Sequence, residues 1–438
     1  MFYGLLLVCM AAASCKKDNE STGIAPANVT IQVGYGLDSS KYQLPVKGIT
    51  IKLTNTILNI AQSAVAPDSG VVHFEGIPAG KYTLEASITI DGATYSTLTG
   101  VAGSKDVTFN ASQSAQVAAG GDVRFNLLLL SGKVSDWVIK QVYYAGSDKT
   151  NGALFRDQFV ELYNNSDSVL YADGLLVAQV WGKQNFTGTT NYTLANGQYD
   201  WSKAQNMAAG IDANNDYIYT RSILMIPGTG KTYPVQPGTG VVIAQTALNH
   251  KAPYVGMDGE EITIKNPALT VDLSGADFEA YYGDFFTTPY ASDIDNPKVP
   301  NMQVVQYYGK DYVIDNLGRD GYALFRMPDT QKATELPAYP VPTVAAPSGS
   351  ATKYYQVPVA YILDAVEVQP SLTNDRVPKK LNAQLDAGFT FTPLGSYSSQ
   401  SVIRKTAATV NGRVKLKDTN NSTEDFTYLP VAQPRGFQ

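Results

Sequence analysis

The chain has 438 residues, room for about two or three domains with ordinary cores, and a formal net charge of −6. That acidic balance gives no electrostatic basis for binding nucleic acid or anionic headgroups. Cys9 and Cys15 are the only cysteines, so neither a disulfide framework nor a cysteine metal site is expected, and burial with sheet hydrogen bonds must hold the fold. Charged residues make up only 16% of the chain, whereas Tyr (28) and Gly (37) are plentiful. Such usage fits a strand-rich exported protein.

Met1 to Ala13 form an apolar leader that stops at Ser14-Cys15, before the charged run Lys16-Lys17-Asp18-Asn19-Glu20. The leader is too short to cross a bilayer core of about 30 Å, but it suits the apolar region of a secretory signal. Ala12-Ala13-Ser14-Cys15 resembles a bacterial lipobox. The resemblance implies that residues 1–14 are a lipoprotein signal peptide and that the mature chain starts at a lipidated Cys15, anchored to the outer membrane. The alternative is a plain secretory signal with Cys15 incidental. The run after the cysteine resembles the surface-export signal of Bacteroidota lipoproteins, which implies exposure on the cell surface. Residues 15–27 read as a flexible tether, and its polar part, 16–26, spans on the order of 30 Å when extended.

From Asn28 onward, short alternating runs predict strands: Val29, Ile31 and Val33; Ile49, Ile51 and Leu53; Tyr82, Leu84, Ala86 and Ile88. Asp91-Gly92 between two such runs predicts a two-residue hairpin. Residues 28–131 therefore read as a β-sandwich. Within them, Gly76-Ile77-Pro78-Ala79-Gly80-Lys81-Tyr82 resembles the turn of transthyretin-like, carboxypeptidase-regulatory-like modules. The resemblance implies a spacer, with Ile77 plugging the core and Pro78 and Gly80 setting the turn.

Residues 132–438 open with the strand Trp137 to Tyr144. Phe159-Val160-Glu161-Leu162-Tyr163-Asn164, a polar turn and Leu175-Leu176-Val177 follow. This pattern resembles the lamin-tail module, which implies an immunoglobulin-like β-sandwich; Val241 to Ala244, Tyr361 to Glu367, Val402 to Lys405 and Lys417 to Phe426 supply its later pieces. The module is usually much shorter, so large loop insertions are expected at 180–234, 252–312 and 328–358. Trp201 to Gly210 predicts one short helix capped by Asp200, and the proline-rich stretch 334–358 an exposed loop. The whole arrangement resembles a Bacteroidota surface lipoprotein family of unknown function. That resemblance implies work beside a TonB-dependent outer-membrane transporter or another lipoprotein.

Few residue sets could carry chemistry. Gly228-Thr229-Gly230-Lys231-Thr232 has the look of a phosphate loop, yet Met225 stands where the motif needs glycine and Pro234 blocks the required helix, so a hairpin turn is expected. His73 and His250 fall in different predicted domains, which argues against a triad or a two-histidine metal site. Asp212, Asn214 and Asp216 alternate as calcium ligands do, but Ile223 replaces the distal glutamate, leaving a structural Ca²⁺ as the sole cofactor option. Asp293, Asp295 and Glu260 are the acids a surface hydrolase would use. The aromatic set Tyr281, Tyr282, Phe285, Phe286 and Tyr290, with Trp181 near another insertion, marks the expected binding surface for a protein or glycan. Adjacent tyrosines place one ring on each strand face, so the same rings also suit the module's own core. The expectation is a non-catalytic binding or scaffold protein, with a surface hydrolase or a carbohydrate-binding adhesion protein as alternatives.

Overall fold

The computed structural model describes residues 25–36, 42–58, 60–100, 106–117, 120–131, 135–187, 190–343 and 347–438. The leader, Cys15 and the tether as far as residue 24 lie outside the described residues.

The protein is mainly β. Its first strands are β1 (Ala27–Tyr35), β2 (Thr50–Asn55), β3 (Ala61–Val65), β4 (Val71–Ile77), β5 (Gly80–Ile90), β6 (Val107–Val117) and β7 (Asp122–Ser131). They bond in the order β3-β2-β5-β6-β7-β1-β4. Successive side chains alternate across a strand, so Ala27, Val29, Ile31 and Val33 all enter one core with Ile51, Leu53, Leu84 and Leu129. Ile77 plugs that core as expected. Gly76, at φ +66, is a left-handed residue inside β4, one before its end, and in the turn that follows Pro78 accepts a hydrogen bond on its carbonyl from the Tyr82 hydroxyl at 2.8 Å.

Asp91-Gly92 is not a hairpin. The Asp91 carboxylate accepts from the Thr94 amide at 2.9 Å and caps helix α1 (Gly92–Thr99), which leads back toward β6. Aspartate is among the best N-caps, and here that preference outweighs the turn preference of the dipeptide.

The rest of the chain contributes β8 (Trp137–Tyr143), β9 (Phe159–Asn164), β10 (Leu170–Tyr171), β11 (Leu175–Val180), β12 (Tyr217–Met225), β13 (Pro234–Val235) and β14 (Gly240–Ala244). Then come β15 (Tyr254–Val255), β16 (Glu261–Ile262), β17 (Phe278–Glu279), β18 (Gln303–Gln306), β19 (Gly321–Arg326), β20 (Ala338–Tyr339) and β21 (Tyr354–Pro358). Last are β22 (Ile362–Glu367), β23 (Ser401–Arg404), β24 (Thr406–Val410), β25 (Arg413–Leu416), helix α2 (Ser422–Asp425) and β26 (Phe426–Leu429).

One sheet runs β17-β14-β9-β8-β23-β26; another runs β20-β21-β12-β11-β19-β22, with β18 also on β12. Ile139, Leu162 and Ile243 of the first meet Val177, Leu224 and Leu324 of the second in a shared core. Fully burying side chains of this size contributes about 1.5–3 kcal/mol each.

β8 and β9 are buried at every position. Their outer face is covered too: Leu416 and Val414 pack on Val138 and Tyr163, while Val271, Leu273 and Val299 pack on Tyr143 and Phe159. Cover on both faces leaves no solvent-facing position in these strands, so their polar residues Lys140, Gln141, Glu161 and Asn164 are buried with the apolar ones.

Buried charge joins the layers. Arg404, 2% exposed, bonds Asp364 at 2.6 Å, Asp418 at 3.2 Å and Asp425 at 3.5 Å, so β22, β23 and α2 share one cation. On the outer face, Lys140 meets Glu161 at 2.9 Å and sits 3.7 Å from the centre of the Phe437 ring. The two halves touch where the Asn110 side-chain amide donates to the Thr419 carbonyl at 2.6 Å.

Three local expectations change. Segment 180–234 is no mere insertion, because it supplies β12, which pairs with β11, β18 and β21. Segment 334–358 includes β21, since Tyr354-Tyr355-Gln356-Val357 satisfy a strand and the prolines stay outside its paired interior or at its end. The helix at Trp201 shrinks to one 3₁₀ turn, Trp201–Lys203: Asp200 makes no cap bond and turns to Ser202 at 2.5 Å and Lys203 at 2.9 Å.

Candidate functional site

An irregularity in the sheet register assembles an aromatic and cationic wall at the middle of β12. Gln179 pairs with Ser222 but Val180 with Thr220, so Arg221 is the extra residue of a bulge, and on the other side Thr220 pairs with Tyr355, next to Tyr354. Trp181 and Tyr354 stack at 5.2 Å with planes 2° apart. The Arg221 guanidinium lies 5.4 Å from the Trp181 ring and 5.1 Å from Tyr308, within cation–π range. Behind it, Arg221 pairs with the fully buried Asp320 at 2.5 Å.

In front of this wall is a cleft of about 280 Å³ lined by Arg221, Tyr290, Tyr308, Lys310, Asp311 and Asp315, among others. Tyr290 and Tyr308 are 47% and 44% exposed, so a ligand can reach their faces. Asp311 is 4% exposed. One of its oxygens accepts from Ser292 Oγ at 2.6 Å and Gln245 Nε2 at 2.9 Å. Its other oxygen, Oδ1, is buried with no partner among the described residues. Desolvation pushes the Asp311 carboxyl up, although the Ser292 and Gln245 bonds act against it. Asp315 behaves oppositely: burial alone would raise it, but Arg319 binds both carboxylate oxygens, at 3.0 and 2.7 Å, and holds it below its ordinary value.

The aromatic residues expected to form a binding surface divide. Tyr290 lines the cleft, and Trp181 backs its Arg221 wall. Phe285 is 49% exposed and lies against Tyr307 at 5.5 Å. Phe286 packs partly onto the core, and Tyr281 is half-buried. Tyr282 is a correction: it is fully buried and its hydroxyl meets Ser222 Oγ at 2.8 Å. The pair Tyr281-Tyr282 lies past the end of β17 in irregular backbone, where the Tyr282 amide is held by Asp293 and its ring is turned into the core.

The expected acids have structural partners. Asp293 is 1% exposed and accepts from the Tyr282 amide at 3.2 and 3.0 Å; desolvation and the nearby Asp311 push its carboxyl up to about 7. Asp295 accepts from Asn301 at 2.9 Å, and Glu260 is exposed. Asp212 accepts from the Asn214 and Asn215 amides at 3.3 and 3.1 Å. The Asn214 side chain bridges the Trp201 amide and the Tyr199 carbonyl, while the Asp216 amide donates to the Asp212 carbonyl. Among the described residues, no group of three or more His, Cys, Asp or Glu side chains is placed to hold a metal.

His73 faces Thr30 on an exposed strand surface at 3.0 Å. His250 is fully buried, and its Nε2 lies 3.0 Å from the Thr246 carbonyl, which can only accept, so that nitrogen carries the proton. Burial pushes its pKa down to about 4.

The Gly228 to Thr232 loop is not the turn of a hairpin: β12 and β13 bond to other strands. Its amides nevertheless hold an anion, supplied by the protein. Gly230 and Thr232 donate to Asp173 Oδ1 at 3.0 and 2.8 Å, and Tyr233 to Oδ2 at 2.8 Å. Desolvation would raise the Asp173 carboxyl, but these amides together outweigh it and hold it at about 2.

The charged cleft residues that sequence patterns did not single out are Arg221, Lys310, Asp311 and Asp315. Arg221 looks like an ordinary strand residue, and the other three follow Tyr307-Tyr308-Gly309 in what reads as a plain polar turn.

No curated protein matches the chain. A crystal structure of a DUF4876 family protein from Bacteroides thetaiotaomicron is similar over 92% of this chain and 95% of its own, with 26% identity and a TM-score of 0.49. A protein from Bacteroides ovatus provisionally designated an adhesin covers 39% of this chain and 60% of its own, at 13% identity and a TM-score of 0.20. One from Bacteroides uniformis provisionally designated carbohydrate-binding covers 50% and 99%, at 10% identity and a TM-score of 0.15. No enzymatic family is indicated by these matches. Residues 236–432, which include most of the cleft, match the family described as "Protein of unknown function (DUF4876)".

Proposed function

We propose that this chain is a non-catalytic binding component of the cell surface, and that the cleft between Tyr290, Tyr308 and Arg221 is its ligand seat. The observation that carries this reading is one place where the exposed rings of Tyr290 and Tyr308 converge with the Arg221 guanidinium and Lys310. A saccharide unit fits that chemistry: its C–H face covers a tyrosine ring while its hydroxyls accept from Lys310. The acids of the hydrolase alternative have less support, since Asp293 is turned inward onto the Tyr282 amide.

A second reading, docking to a TonB-dependent transporter or another lipoprotein, is favoured by Phe285 and Tyr307. These rings touch each other and stand 49% and 47% exposed beside the cleft, extending it as a protein partner would need. In the same proposal Cys15 carries the acyl anchor, residues 15–27 tether the body at the outer-membrane surface, and 28–131 form a transthyretin-like spacer sandwich. Residues 132–438 then form an expanded lamin-tail-like sandwich that presents the cleft.

A glycan array probed with the chain and with Tyr308→Ala tests the first reading. Glycans retained by the chain and weakened about tenfold or more by the substitution support it. Retained glycans that bind the variant equally well would place the seat elsewhere.

A further inference from the structure

The first sheet ends in an apolar tip. The connection from β2 to β3 exposes Ile57, Leu58 and Ile60 at 65%, 58% and 62%. No Asp, Glu, Lys or Arg occurs between Leu53 and Ala66. Three neighbouring aliphatic side chains held in water without a charge beside them in sequence mark an interaction surface.

Topology sets where this tip lies. β4 ends at Ile77 and β5 begins at Gly80, while β6 ends at Val117 and β7 begins at Asp122, so these strand ends fall together. Gly80 pairs with Val117, and the Thr56 amide donates to the Lys81 carbonyl at 2.9 Å. The Gly120 amide donates to the Ala25 carbonyl at 3.0 Å, and Asn28 to Gly121 at 3.1 Å. Ala25, the first described residue, therefore stands at the same end as the tip. Phe186 adds an aromatic from the other half of the chain: it is 56% exposed, with its ring 5.8 Å from the Lys81 ammonium.

We propose that this end is a membrane-contact surface, in which Ile57, Leu58 and Ile60 enter the interfacial zone of a lipid bilayer. Three observations select lipid over a protein partner. First, the chain joins the body here, and ten residues from Cys15 to Ala25 reach at most about 36 Å, so a bilayer holding that end lies within range of the tip. Second, the tip is aliphatic, whereas the energetic centres of protein interfaces favour Trp, Tyr and Arg. Third, the β2–β3 segment itself carries no charge, and hydrocarbon asks for area alone. This rests on the reading that Cys15 carries the lipid anchor; the tip adds a second apolar contact with the same bilayer through the fold itself.

The chain from residue 16 onward retains every described residue and has neither the apolar leader nor Cys15. Mixed with phosphatidylcholine–phosphatidylethanolamine vesicles, it should co-sediment. In a Leu58→Trp variant the new indole should shift to the blue and be quenched by brominated lipid. The Ile57→Ser/Leu58→Ser/Ile60→Ser variant should partition about 100-fold more weakly with an unchanged circular dichroism spectrum and melting temperature, since none of the three is buried. Equal sedimentation of chain and triple variant, or an indole that brominated lipid does not quench, would overturn the proposal. So would a concentration-dependent dimer abolished by the same three substitutions, which would assign the tip to a second copy of the chain.

Discussion

Replacing Arg221 by methionine separates the charge of the cleft wall from its shape. In the native protein the guanidinium lies 2.5 Å from the Asp320 carboxylate, with the two side chains 11% and 0% exposed. Desolvation pushes Asp320 up to about 6 even though Arg221 pulls it down. Breaking a buried pair by removing one partner costs about 3–5 kcal/mol. Lys380 and Arg319 also stabilise this carboxylate, which favours the lower end, about 3 kcal/mol at pH 8. Lost stacking on Trp181 and Tyr308 adds about 1 kcal/mol. The sign with pH follows from linkage. A carboxyl raised on folding contributes its full stability below the unfolded value near 4 and loses it as pH rises through the folded value. Without Arg221 the folded value climbs further, so the deficit is widest at pH 8 and narrows toward pH 5. Urea unfolding at both pH values, for Arg221→Met, Asp320→Asn and the double variant, measures this. The double variant should recover at least about 1.5 kcal/mol relative to the summed single variants. Additive singles, or a deficit equal at both pH values, would refute the pairing argument.

Other outcomes follow from the same structure. Asp173→Ala strips three amide donors of their acceptor and should cost about 2 kcal/mol at neutral pH. Because folding depresses this carboxyl to about 2, its contribution is present above about 4 and fades as pH falls through 2, so variant and native urea midpoints should converge in strong acid. His250, with its pKa lowered to about 4 by burial, should show no imidazole titration by NMR above pH 5. Its neutral form favours the folded chain above the unfolded value near 6.5, and that advantage disappears as pH falls toward 4. Phe437→Ala should lower the melting temperature measurably, since it uncovers the buried Lys140 ammonium 3.7 Å beneath the ring, an interaction worth about 2 kcal/mol when desolvated; an unchanged melting temperature would show that Glu161 alone holds Lys140.

Local patterns made much of the fold legible. Period-two alternation placed β1, β2 and β5, and Phe159 to Asn164 is the strand it reads as. Sheet neighbours were not legible, because partners such as β11 and β19 are far apart in sequence and no local signal encodes their register. That is also why β12 passed for an insertion. Asp91-Gly92 misled because one dipeptide serves two local structures, and only the following segment decides between them. At the site, Tyr290 and Trp181 could be named from composition alone. Arg221 and Asp311 could not, since their significance comes from neighbours brought by pairing and from burial of one carboxylate oxygen. Asp364, Asp418 and Asp425 fall in the C-terminal pieces of the lamin-tail-like pattern, yet their convergence on Arg404 needs three dimensions.

The proposed ligand seat is the cleft at Tyr290. Replacing Tyr290 with a photo-crosslinking benzoylphenylalanine, and Leu372 (66% exposed) with the same residue as a control, tests it in intact cells. A discrete saccharide or protein adduct is expected from position 290, lost when Tyr308→Ala is added, and none from position 372. Adducts of equal yield from both positions, or an adduct at 290 that survives Tyr308→Ala undiminished, would contradict it.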